Sequence, residues 1–160
     1  MEDDKFMTYK FKTPDDYLPV AIIPKRQLST QLSRSVLPKY IGRNNAVSSS
    51  AASNLLVAAL ANQDWPTAFA LTEKDGLHER YRQKLVPELE TVRRSAHKEG
   101  IYGSYLSGAG TTIMTIVKER QADQLIEILK KQSELSDCQI LKLSFDDQGA
   151  RLAENEEAAF

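Results

Sequence analysis

The residues most able to do chemistry lie in one short stretch, "GIYGSYLSGAGTTIMTIV", Gly100 to Val117, which holds four of the chain's seven glycines. Within it Ser107, Gly108, Ala109 and Gly110 form a compact turn between two hydrophobic runs. Gly108 and Gly110 can adopt positive φ, and neither places a side chain against a neighbour. Such a turn can aim several backbone N–H groups at one anion. It can also be a plain connection between two strands, and the local residues leave both readings open. It is not a Walker A loop, because no Gly-Lys-Ser/Thr follows, and it lacks the spacing of a dinucleotide fingerprint.

Other polar positions are Arg43, in the polar connection "KYIGRNNAV", and Arg82, which follows His78, Arg80 and Tyr81 in the break "DGLHERYR". The planar fork of arginine fits a carboxylate or a phosphate. His78 titrates near neutrality and is a candidate base. Without a neighbouring carboxylate and nucleophile, it reads as a surface or hydrogen-bonding histidine. His97, among Arg93, Arg94 and Lys98, reads as solvated, and Glu79, Glu88 and Glu90 read as helix surface. No Ser-His-Asp order and no metal-ligand spacing is present, so no catalytic residue and no metal ligand is assigned.

These residues need a scaffold. "MTYKFKT" alternates like a strand until "TPDD" breaks it. "YLPVAIIP" reads as a short buried strand. Leu28, Leu32, Val36 and Leu37 make a helical stripe capped by Ser29 or Thr30 and ended by Pro38. Val47 to Asn62 reads as a helix with Ala51, Ala52, Leu55, Leu56 and Ala59 on one face and Ser48, Ser49 and Ser50 as cap material. "DWPTAFALTE" starts another helix, with Pro66 in its first turn. Leu85, Leu89, Val92 and Ala96 mark a further helix stopped by Gly100.

"YGSYL" and "TIMTIV" read as strands around the glycine turn, the second running from Thr111 to Val117 by its β-branched residues. Ala122, Leu125, Ile126 and Leu129 form a helix face. "CQILKLSF" is a last strand, and "DDQGARL" a turn with a short strand after it. The expected fold is one α+β domain, a mainly antiparallel sheet of about four strands with helices largely on one face.

The whole chain sets outer limits. Its 160 residues fit one domain, and 41% hydrophobic residues suffice for a core. A formal charge of −1 from 21 basic and 22 acidic residues gives no field of one sign, so nucleic acid is not an expected partner. Cys138 is the only cysteine; it permits no intrachain disulfide and reads as a buried structural thiol in a reducing cytoplasm. "MEDDKF" has no basic or apolar region of a signal peptide, and no apolar run is long enough for a membrane span.

Taken in order, "IIPKRQLSTQLSRSVLPKYIGRNNAV", "NLLVAALANQDW", "DGLHERYRQKLVPELETVRRSAHKEGIYGSYLSGAGTTIMTIV" and "DDQGARL" resemble the C-terminal half of the GHMP small-molecule kinases (galactokinase, homoserine kinase, mevalonate kinase, phosphomevalonate kinase), and within them the homoserine kinases. The resemblance covers roughly residues 18–152, leaving a lead-in strand and loop over 1–17 and an acidic tail over 153–160. It implies a ferredoxin-like antiparallel sheet. It places Ser107, Gly108, Ala109, Gly110 and Thr112 in the family's third, glycine-rich motif near the transferred phosphate. It places Arg43 and Arg82 on arginines that hold the homoserine carboxylate, and His78 in the same substrate-side loop. ATP and Mg²⁺ are the implied cofactors. Homoserine, a separate N-terminal half of the kinase and a second copy of the chain are the implied partners.

This sequence departs from the family pattern in several places. The family's proline-glycine-serine loop that cradles ATP, and its N-terminal substrate motif, do not occur here. Thr111 stands where the third motif often has proline, Ser49 where Asn is common, and Ala52 where Arg is common. The expected role is therefore half of a homoserine kinase, inactive by itself. Half of another GHMP kinase, or a non-catalytic small-molecule-sensing or assembly domain, are the alternatives.

Overall fold

The computed structural model describes residues 7–149. Four strands, β1 (Tyr17–Pro24), β2 (Ser104–Leu106), β3 (Ile113–Lys118) and β4 (Cys138–Lys142), make one sheet in the order β2-β3-β1-β4. Every pairing is antiparallel. Helices α1 (Thr30–Ser35), α2 (Arg43–Ala61), α3 (Trp65–Thr72), α4 (Glu79–Arg82) and α5 (Glu88–Lys98) connect β1 to β2, and α6 (Glu119–Lys130) connects β3 to β4. This is the split β-α-β arrangement of a ferredoxin-like fold.

The core forms where the strand period of two meets the helix period of 3.6. Leu18, Val20 and Ile22 of β1 and Ile113 and Val117 of β3 lie against Leu89, Val92 and Ala96 of α5 and Ala122, Leu125 and Leu129 of α6. All eleven are essentially out of solvent, Leu18 being the most exposed at 8%. At about 25 cal/mol per Å² of apolar surface, each large side chain buried here stabilises the fold by roughly 1.5–3 kcal/mol. Asp64 caps α3 by accepting from the Thr67 N–H at 3.3 Å, with Pro66 in the first turn. Ser29 caps α1 by accepting from the Leu32 N–H at 3.1 Å.

Several sequence expectations are corrected. Residues 7–14, including all of "MTYKFKT", form no strand. Thr111 and Thr112 stay in the turn, and β3 begins at Ile113. Helix α2 begins at Arg43 behind Gly42, so Ser48, Ser49 and Ser50 lie inside it and cap nothing. Its inward stripe is Ser49, Ala52, Leu56 and Ala59, while Ala51 and Leu55 face solvent. In α1 the buried residue is Ser33, and Leu32 is exposed. Cys138 lies on β4 as expected but is only half-buried, packed on the edge of the core. The short strand expected to follow "DDQGARL", the acidic tail and "MEDDKF" lie outside the described residues. No described helix is long and apolar enough to cross a membrane.

Candidate functional site

The glycine turn closes the β2–β3 hairpin. The Ser107 N–H donates to the Thr112 carbonyl at 2.9 Å, and the Gly110 N–H to the Ser107 carbonyl at 3.2 Å. Gly108 and Gly110 have φ of 58° and 96°, a region that costs an L-residue strain. The N–H groups of Gly108, Ala109 and Thr111 donate to no described residue, so the turn presents free donors. Gly110, Thr111 and Thr112 line a cleft with Lys25, Arg26 and Gln139.

Three clamps fix this turn. The first is Arg82, at the end of α4. Its Nη1 donates to the Gly108 carbonyl at 3.0 Å and its Nε to the Ser33 carbonyl at 3.2 Å. Beside it the Ser33 hydroxyl is buried and has no described partner. The second is Arg26, which forms a bidentate pair with Glu88, its Nη2 lying 2.7 Å from Oε2, and also donates to the Leu85 carbonyl. The Arg26 carbonyl in turn accepts from the Thr111 hydroxyl at 3.3 Å. The hydrogen-bonded arginine holds the Glu88 carboxyl below its ordinary range, against the opposing effect of burial.

The third clamp grips β2, the strand that feeds the turn. Glu79 accepts from the Leu106 N–H at 2.9 Å and from Arg93 Nη2 at 2.5 Å. Glu73 accepts from the Gly103 and Ser104 N–H groups at 2.7 and 2.9 Å, and lies 2.9 Å from His97 Nε2. Arg93 donates to the Ser104 carbonyl. Two carboxylates thus satisfy the open edge of β2, where unpaired N–H groups would otherwise face outward. Glu79 is 5% exposed and Glu88 9%, so neither is helix surface, and His97 is paired rather than simply solvated.

The assigned site residues divide into groups. Arg82 and the turn Ser107–Gly110 come together. His78 stands four residues before Arg82, at the head of α4, where its Nδ1 lies 3.4 Å from Asp75 Oδ2. It lines a separate small cavity with Ser49, Ala52, Leu56, Thr72 and Asp75. Burial pushes the Asp75 carboxyl up, but the N–H groups of His78, Leu77 and Glu79, with the His78 charge, outweigh it and leave the pKa lowered. Arg43 is not in a loop but opens α2, with an exposed side chain and no hydrogen bond or ion pair to a described residue. Arg82 likewise belongs to a helix rather than a break.

The clamp residues Arg26, Glu73, Glu79, Glu88 and Arg93 carry no local signal, because their partners are 11–62 positions away. Among the described residues no group of three His, Cys, Asp or Glu side chains gathers as a metal site.

Comparison with known proteins fits this geometry. The family model described as "GHMP kinases C terminal" matches residues 56–135, half of the chain, and takes in α3 to α6, Arg82 and the glycine turn. The chain belongs to the GHMP kinase C-terminal family. It is 38% identical over 133 residues to a protein named homoserine kinase from Enterococcus faecalis, covering 83% of this chain and 46% of that protein. The crystal structure of homoserine kinase from Cytophaga hutchinsonii superposes with a TM-score of 0.74 at 25% identity, over 85% of this chain and 44% of that one. L. major mevalonate kinase, in complex with R-mevalonate, shares the fold at a TM-score of 0.62 and 15% identity, over 80% of this chain and 43% of that one. The GHMP chain thus spans about half the length of the curated relatives it matches.

Proposed function

We propose that the chain is the C-terminal half of an ATP-dependent homoserine kinase, with residues 18–152 as the working domain. The intact enzyme moves the γ-phosphate of ATP to the side-chain hydroxyl of L-homoserine, giving O-phospho-L-homoserine and ADP in threonine biosynthesis in the cytoplasm. The identity to the Enterococcus faecalis protein supports the substrate. The structural observation that carries the reading is the Arg82–Gly108 contact of 3.0 Å. One guanidinium ties the Gly108 carbonyl of the turn to the Ser33 carbonyl of α1 and keeps further N–H donors for a carboxylate.

In this reading Arg82, with Arg43 as the second contact, fixes the carboxylate of homoserine, and His78 borders the substrate side. The free N–H groups of Gly108, Ala109 and Thr111 fit a phosphate oxygen. Most of the nucleotide contact and the Mg²⁺ ligands fall, in this reading, to an N-terminal half, as the family resemblance implies. When bound, ATP with Mg²⁺ supplies the phosphoryl group. The residues of this chain then position the acceptor and balance charge, which is the protein's main contribution to phosphoryl transfer.

A fusion tests the proposal. This chain, joined behind the N-terminal half of the Enterococcus faecalis protein, is expected to release ADP from ATP and Mg²⁺ only when L-homoserine is present. The chain alone is expected to release none. Turnover of R-mevalonate instead would transfer the assignment to another branch of the family. A folded fusion that turns over neither would overturn the kinase reading.

A further inference from the structure

A further cavity lies at the opposite end of the sheet from the glycine turn. Its walls are Tyr17, Phe69, Ile101, Tyr102 and Ile116, and Lys118, Arg120 and Gln121 stand at its rim. Tyr17 pairs with Lys118 across β1 and β3, whereas Ile22 pairs with Ile113 beside the turn. Five residues of strand separate the two pairs, about 16 Å at ~3.3 Å per residue. The cavity is thus outside the site assigned to phosphoryl transfer.

Glycine backbone opens the space. Gly100 ends α5 at φ 70° and adds no side chain to the wall. Gly103, at φ 119°, lets the chain approach Phe69 so closely that a Cβ there would sit 2.7 Å from the Phe69 Cβ. The aromatic rings are braced, with Tyr17 edge-on to Phe69 at 5.0 Å and Phe69 stacked on Trp65 at 6.2 Å. Its volume of about 280 Å³ is near the lower end of small-molecule sites, about 300–1,000 Å³.

The rim carries two cations, Lys118 and Arg120, which also line a neighbouring pocket with Asp16 and Glu119. Lys118 Nζ lies 5.8 Å from the Tyr17 ring centre, and neither it nor Arg120 has an ion-pair partner among the described residues. By contrast, Arg26, Arg93 and Arg94 each pair with a glutamate. Two unpaired cations over a half-aromatic, half-aliphatic cavity suit a ligand with an anionic head and an apolar body. The planar fork of arginine fits a carboxylate head.

We propose that this cavity is a second ligand site, which takes a small monocarboxylate bearing an aromatic or branched apolar group. The carboxylate sits between Lys118 and Arg120, and the apolar body lies against Tyr17, Phe69 and Ile116. The assignment does not depend on the kinase reading.

The probe is 3-phenylpropionate, titrated into the ¹⁵N-labelled chain and followed by amide chemical shifts. Saturable shifts are expected at Gly100, Ile101, Tyr102 and Gln121, with a Kd of about 10⁻³ M or tighter from the usual efficiency of small ligands. The amides of Gly108, Ala109 and Gly110 should stay in place. Arg120 is exposed, so Arg120→Ala should fold normally and weaken binding about tenfold, the loss expected for one charge-assisted contact. The neutral isostere 3-phenylpropanamide should bind at least as weakly to the parent chain. Absence of saturable shifts, shifts confined to the glycine turn, or equal binding of acid and amide would each overturn the proposal.

Discussion

Replacing Glu79 with alanine removes one side chain that joins α4, α5 and the edge of β2. Its side chain is 6% exposed and that of its partner Arg93 15% exposed, so solvent screens the pair little. Removing one partner of a buried pair costs about 3–5 kcal/mol, and leaving the Leu106 N–H unpaired about 1–3 kcal/mol. These overlap rather than add. Arg93 also keeps its bonds to the Ser104 carbonyl at 2.6 and 3.0 Å, which reduces the cost of the orphaned charge. The expected loss is therefore about 2–4 kcal/mol. At roughly 2–4 °C per kcal/mol for a chain of this size, the melting temperature should fall by about 5–15 °C.

Urea unfolding followed by circular dichroism measures this loss, and an unchanged m-value confirms that the two end states are comparable. Glu79→Gln keeps an acceptor for Leu106 and removes only the charge, so it should lose less than the alanine variant. Amide exchange at Leu106 should accelerate more than at Val117 in the core. A loss under about 0.5 kcal/mol, the range of ordinary surface substitutions, would refute the edge-clamp reasoning.

Further outcomes follow from the same contacts. Gly103→Ala places a Cβ 2.7 Å from the Phe69 Cβ and 3.1 Å from its carbonyl oxygen at φ 119°, so thermal unfolding should show a loss of about 2 kcal/mol or more. Gly110→Ala meets only ordinary contacts with Leu28 and Val86, 3.5 Å away, but keeps φ 96°; it should cost about 1–2 kcal/mol. The Glu88 pKa is lowered from 4.5 by the Arg26 hydrogen bond, so its stabilisation is present above that pH and lost as pH falls through the lowered value. Denaturant midpoints measured from pH 6 down to pH 2 should therefore fall less steeply in Glu88→Gln than in the parent chain.

Much of the fold is legible locally. The β-branched run Ile113–Val117 makes β3, and Ala122, Leu125 and Leu129 turn inward on α6 as their spacing requires. Pro66 and Asp64 mark the start of α3. Helix α2 is harder to read, because a run of serines and alanines is compatible with both a cap and a helix interior. Gly42 starts that helix six residues before Ser48.

The site is legible only in part. Paired glycines reveal the turn, since positive φ selects them. Nothing near Glu73 or Glu79 in sequence indicates that they bond N–H groups of β2 at residues 103–106. Carboxylates on short helices look solvated until a strand edge is brought against them. In sequence Arg82 reads as a contact for a substrate carboxylate, and its bonds to the Gly108 and Ser33 carbonyls add a second task, holding the turn.

The most direct test of this dual role is the kinetics of Arg82→Ala and Arg43→Ala in the fusion with the Enterococcus faecalis N-terminal half. Each lost charge-assisted contact is worth about 1.5–3 kcal/mol, so either variant should raise the homoserine KM about tenfold or more with the ATP KM nearly unchanged. Arg82→Ala should also lower kcat, because the Gly108 carbonyl loses its 3.0 Å donor, whereas Arg43→Ala should leave kcat close to the parent value. A homoserine KM unchanged in Arg82→Ala, in a fusion that folds and turns over homoserine, would contradict the account.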